Sequence, residues 1–405
     1  MITPRGRDRD RGARRIGAEA PPGQLAGVSP AARHALPYAT QFFGFGVLLP
    51  FLPAVLAARG LEAAEVAIVL AIGSAVRLLA GPAFGRVADA LGAPRAVLAA
   101  VSVAAALAAL GFLWAAGFVL LLLVHLVLSA ATAPVMPLTD AMTVAAARRH
   151  GFDYGRVRAA GSIAFIAAAL LAGQAVAAFG PNAAAALMAA GFAGTALVAL
   201  LLPRAEPRPT GPAGLAGFFA PLRIPAFRWL LLVSALVQGS HAFYYAFGTL
   251  HWQAAGLGEG LIGALWAAGV VAEIVLFVWG RGVVARLGPI GLCIVAGLAG
   301  VLRWGATALT TDPLLLFPLQ LLHAATFGAQ HLATMQLLAR VVPPAQAGTA
   351  QALHASLGAG LAIGLLTLAS GPLYSAFGGG GYWAMAVLCA LAVPASVSLG
   401  RAIQR

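Results

Sequence analysis

Three residues whose types could do chemistry stand in apolar surroundings: Glu273 in the run LIGALWAAGVVAEIVLFVWG, Arg303 in GLAGVLRWGATALT and His323 in LLHAATFGAQ. A charge at bilayer depth costs a few kcal/mol or more, so such residues usually face a polar cavity and carry protons or bind a solute. A dry surround favours the protonated form of a carboxylic acid, and a nearby arginine favours the ionised form. A Glu273 that moves between the two would load and release a proton, with Arg303 and His323 as its partners. The plainer alternative is a permanent Glu273–Arg303 ion pair that only orders this part of the chain. Buried pairs contribute weakly to stability, which favours the functional reading.

The elements that must position these residues are membrane spans. The 405 residues are 61% hydrophobic and 9% charged with a mean hydropathy of +0.91, whereas soluble domains carry about 25% charged residues. On a ruler of ~20 apolar residues per crossing, the chain offers spans at 36–58, 64–84, 94–115, 117–141, 158–179, 183–202, 229–250, 261–281, 288–309, 314–340, 351–372 and 381–402. The net charge of +13, carried by arginine without lysine, is not a nucleic-acid footprint. Its arginines fall in alternate loops, with Arg59 alone in the opposite set. The positive-inside rule therefore puts both termini in the cytoplasm of a multi-pass inner-membrane protein. Residues 1–33 read as a disordered basic tail, with no cleavable signal before span 1. The polar interruption 204–226 divides the chain into an N-terminal six-helix bundle, 34–203, and a C-terminal one, 227–405. With spans alternating in direction, Glu273 lies about twelve residues along span 8, Arg303 about fifteen along span 9 and His323 about nine along span 10, which at 1.5 Å per residue puts all three in the middle third of the bilayer.

Other polar residues inside spans are weaker candidates. Span 10 carries Gln320, His323, Phe327, Gln330 and Thr334 at three- and four-residue spacing, hence on one helical face. Eight residues, or ~12 Å, separate His323 from His331, too far to chelate one metal. Span 7 presents Gln238, His241, Tyr245 and Trp252, with Tyr244 alongside; span 1 presents Tyr38, Gln41, Phe42 and Phe45. Rings with polar tips can orient a flat ligand, although aromatic stripes are more often packing and Trp252 reads equally as an interfacial anchor. Arg77 on span 2 could meet a substrate carboxylate with its fork, bond span 11 near His354, or snorkel. Asp140 and Arg158 read as a cytoplasmic ion pair fixing the hairpin between spans 4 and 5. His125 and His251 have no assigned role, and Cys293 and Cys389, inside spans, read as packed thiols.

The segment GRVADALGAPR, 85–95, with a degenerate copy GRGVVARLG at 280–288, resembles the loop between spans 2 and 3 of the major facilitator superfamily. That resemblance implies an all-α fold of twelve spans in two pseudo-symmetric bundles, a cavity lined by spans 1, 4, 7 and 10, and a cytoplasmic gate at Gly85, Asp89, Gly92 and Arg95, with the two glycines as turns. The usual basic residue after the Asp is Ala90 here, and Val284 replaces the Asp of the second copy. FDYGRVRAAGSIAF (152–165), GSHAFYYAFGTLHWQAAG (239–256), GALWAAGVVAEIVLF (263–277) and LLHAATFGAQHLATMQ (321–336) are similar to the phenylpropionate permease branch, which is related to lactose permease and the nucleoside symporters. The Glu, Arg and His of spans 8, 9 and 10 resemble the set that joins sugar recognition to proton transfer in lactose permease, except that Thr326 stands where a carboxylate is expected.

The resemblance implies proton-coupled uptake of a small organic solute, such as an aromatic carboxylate, by a monomer using alternating access, with Gln41, His241, Tyr245, Gln330 and Arg77 at the substrate. The alternatives are proton-coupled efflux, a sugar or nucleoside symporter and, least favoured, a receptor or scaffold that transports nothing. No hydrolase, zinc-protease or P-loop motif appears, so neither an enzyme nor a cofactor is expected.

Overall fold

The computed structural model describes residues 28–203 and 219–404. Most of the basic tail and of the central loop lies outside the described residues. Among the described residues, ten continuous helical segments are long and apolar enough to cross a membrane, one of which, Ala347–Gln404, reverses at the Gly378–Gly381 turn and makes two crossings. The remaining crossing is built from Pro313–Leu321, a π-helical turn Ala324–Ala329 and Gln330–Val341. Twelve spans result, and the chain is a multi-pass, all-α membrane protein. Helices are what such a sequence must form, because backbone polar groups in hydrocarbon have only one another as partners.

Local chemistry sets many of the ends. Ser29 caps span 1 by accepting from Ala32 N at 3.2 Å, with Pro30 opening the helix, and Asp153 caps span 5 by accepting from Arg156 N at 2.8 Å. Gly92 and Gly151 end spans 2 and 4 with φ of 57° and 71°, the left-handed conformation that glycine adopts without a Cβ clash. Span 2 runs to Leu91, so Gly85 is inside a helix and is not the turn expected from the loop pattern. Gly92 alone makes that turn. Arg59, the single arginine of the opposite loops, donates to Leu113 O, Ala115 O and Asn182 Oδ1, tying three loop ends together.

Packing repeats across the chain. Span 1 packs on spans 5 and 6, span 3 on 6 and 4, and span 2 on 4; span 7 packs likewise on 11 and 12, span 9 on 12 and 10, and span 8 on 10. The two halves meet chiefly through three pairs, 5 with 8, 2 with 11, and 1 with 7, with a smaller contact between 2 and 7. These contacts gather at the arginine-poor end, where Gly173 meets the backbone of Glu259 and Gly260, and Gly371 meets Ala64 and Ala67. At the arginine-bearing end the lower parts of spans 4 and 10, Val135–His150 and Gln330–Val341, find their main contacts within their own halves. The interior is thus sealed at one end and open at the other.

A side chain at Gly173 would break this seal, since its Cβ would meet Glu259 O at 2.5 Å. Spin labels at Ala116 and Ala255, exposed in arginine-poor loops of opposite halves, give the readout. Gly173→Val is expected to lengthen their separation by double electron–electron resonance; an unchanged distribution would show that close approach there does not hold the seal.

Candidate functional site

Arg303 is the centre of the polar interior and is fully buried. Span 9 brings it against four neighbours: Nη1 donates to Thr326 Oγ1 at 2.9 Å, to His323 Nδ1 at 3.1 Å and, more distantly, to His241 Nε2 at 3.4 Å, and Nη2 donates to Gln320 Oε1 at 3.0 Å. The guanidinium lies 4.4 Å from the ring of Trp304 and 5.2 Å from that of Tyr244, close enough for each π face to attract the cation. Its Nε has no partner.

The hydrogen bonds fix the histidine tautomers. His241 Nδ1 donates to Val237 O at 3.0 Å, so its Nε2 is an acceptor and takes the Thr326 hydroxyl at 3.1 Å. His323 Nδ1 accepts from Arg303, so its proton is on Nε2, 3.7 Å from Glu273 Oε2. That separation is just beyond a hydrogen bond. Glu273 therefore reaches Arg303 only through His323, and the direct Glu273–Arg303 pair of the plainer reading is absent. The fork ends on uncharged acceptors, where burial would ordinarily demand an anion.

This network backs a small recess lined by Leu49 and Phe165 from the first half and by Tyr244, Tyr245, Trp266, Gly269, Gln320 and His323 from the second. Trp266 stacks on Tyr244 with centroids 4.4 Å apart and on Tyr245 at 6.1 Å. Glu273, His323, Arg303, His241 and Tyr245 are thus brought together. Trp266, Trp304 and Thr326 join them although composition alone did not single them out as binding residues. Trp266 had a signal: it precedes Glu273 by seven residues, two turns along one face.

The remaining candidates lie elsewhere. The π turn adds a residue to span 10, so the stripe expected on one face divides. Phe327 and His331 continue below His323 as a stacked ladder, while Gln330 turns into the second half and donates to Ser234 and Thr334, both at 3.4 Å. Gln41 is buried within the first half and accepts from Thr139 at 3.2 Å. Arg77 donates to Thr132 on span 4 at 3.1 Å and lies 5.9 Å over Phe45, bonding neither span 11 nor His354.

Asp140 and Arg158 are not an ion pair. Asp140 accepts from Tyr38 at 2.5 Å and Tyr154 at 2.9 Å, and Arg158 rests on Met136 and the Phe42 ring. Two phenols within reach satisfy the carboxylate, and the Arg158 guanidinium instead meets the Met136 sulfur and lies 5.7 Å over the Phe42 ring. Asp89 is exposed at the open end, whereas Arg95 donates to Leu202 O at 2.7 Å and closes the end of span 6. Trp252 is fully buried against Tyr244, so it is no interfacial anchor. Among the described residues no cluster of His, Cys, Asp and Glu could hold a metal.

The chain resembles known transporters over nearly its whole length. It is 33% identical over 365 residues, 87% of this chain and 94% of the other, to a protein of Escherichia coli (strain K12) described as "Probable 3-phenylpropionic acid transporter". It is 27% identical over 346 residues, 83% of this chain and 86% of the other, to the maltose permease of Geobacillus stearothermophilus. Its fold matches the crystal structure of the nucleoside transporter NupG with a TM-score of 0.80 at 17% identity, covering 93% of this chain and all of that one. The model of the MFS_1 like family matches residues 34–385, and the chain, with its twelve spans, internal repeat and buried polar site, belongs to this family of major facilitator transporters.

Proposed function

We propose that this transporter imports a small aromatic carboxylate together with a proton, by alternating access, as a monomer in the inner membrane with its arginine-bearing end in the cytoplasm. The observation that carries this reading is the buried guanidinium of Arg303, which has no carboxylate in ion-pair range among the described residues and whose fork ends on Gln320 and His323 at the wall of an aromatic recess. A bound carboxylate beside His323 would supply the missing negative charge, and Phe165, Tyr245 and Trp266 would cover a ring. In this reading Glu273 holds the transported proton and passes it by way of the His323 Nε2 edge, while Arg77 meets the solute lower in the cavity. Asp89 and Gly92 act at the gate when the open end closes.

The test is uptake into proteoliposomes with 3-phenylpropionate, maltose and uridine as parallel solutes. With acid outside, 3-phenylpropionate is expected to accumulate and to alkalinise the external medium, while the other two are not. Uptake of maltose or uridine alone would overturn the substrate class, and accumulation indifferent to the pH gradient would overturn proton coupling.

A further inference from the structure

The indole of Trp266 does more than wall the recess. Its Nε1 donates to Thr249 Oγ1 at 3.1 Å, and the same hydroxyl donates to Pro50 O at 2.6 Å. Trp266 and Thr249 belong to the second half and Pro50 to the first, so this chain of two hydrogen bonds runs from the aromatic wall, through span 7, to span 1 across the sealed end. Thr249 is 2% exposed and Trp266 is buried, so water does not replace either bond. A hydroxyl that accepts from an N–H becomes a better donor, which makes the two bonds mutually strengthening. Elsewhere the seal between spans 5 and 8 and between 2 and 11 includes close approach of small residues, as at Gly173 and Gly371.

We propose that Thr249 is a positioning residue that links occupancy of the recess to the seal: a solute that stacks on Trp266 and tilts the indole withdraws its N–H from Thr249 and thereby weakens the Thr249–Pro50 bond between the halves. The link rests on the recess being the solute site, the reading given under Proposed function, but its first test needs no solute. Double electron–electron resonance on the Ala116/Ala255 label pair reads the seal, with Cys293 and Cys389 buried and unlabelled. Thr249→Val keeps the shape and removes both bonds; it is expected to raise the ratio of separated to sealed ends about fivefold, the equivalent of ~1 kcal/mol for one hydrogen bond. Thr249→Ser is expected to restore the wild-type ratio. Trp266→Phe, which keeps a ring but no N–H, is expected to shift it in the same direction as Thr249→Val. A wild-type distribution for Thr249→Val overturns the proposal, and so does a wild-type distribution for Trp266→Phe, since Thr249 would then be a clamp without connection to the recess. Adding 3-phenylpropionate is expected to shift the wild type and to leave Thr249→Val unmoved. A wild type that ignores 3-phenylpropionate, beside variants that open in the expected direction, counts against the substrate reading and not against the link.

Discussion

Glu273→Gln is expected to reduce uphill accumulation of 3-phenylpropionate from about tenfold per unit of pH gradient, the most that one coupled proton at ~1.4 kcal/mol can drive, to simple equilibration. Glutamine preserves the shape beside His323 and Gly328 and removes the group that titrates. Exchange of labelled for unlabelled solute is expected to survive, because the recess walls Tyr244, Tyr245 and Trp266 are untouched. External alkalinisation during uptake is the decisive reading. Proton movement at the wild-type rate in Glu273→Gln would move the coupling role to His323, the other group of the pair that can gain a proton.

Replacing Arg303 should affect folding more than any other change at the site. Arg303→Met removes the donor that serves Gln320, Thr326 and His323 at once. Each buried acceptor left without a partner costs about 1–3 kcal/mol, offset in part by the loss of a buried charge. A net destabilisation of about 2–5 kcal/mol is expected, read as a lower melting temperature in detergent and a lower yield in the membrane. Arg303→Lys is not expected to rescue it, since one ammonium cannot span the fork that reaches His323 on one side and Gln320 on the other. A lysine variant as stable as the wild type would show that charge, and not fork geometry, organises this network.

What the sequence determined by itself is what local chemistry and the bilayer dictate. Apolar length marks the twelve crossings, arginine spacing marks the distinct ends, and Asp153 and Gly92 mark helix ends through a side-chain cap and a left-handed φ. Depth along alternating spans was enough to bring Glu273, Arg303 and His323 together, because the helical rise is nearly constant.

Facing is another matter. A stripe read at 3.6 residues per turn assumes an unbroken helix, and the π turn at Ala324–Ala329 rotates the C-terminal part of span 10 by about 100° per added residue. Gln330 therefore left the face of His323. Asp140 found Tyr38 and Tyr154 in place of Arg158 because which partner is nearest depends on how spans 1, 4 and 5 pack. Only the tertiary structure decided that His323 stands between Glu273 and Arg303, that Trp266 faces the recess, and that Thr249 meets Pro50 across the halves. Each of these contacts joins residues on different spans, and their geometry is set by helix rotation and crossing, which spacing along one chain does not encode.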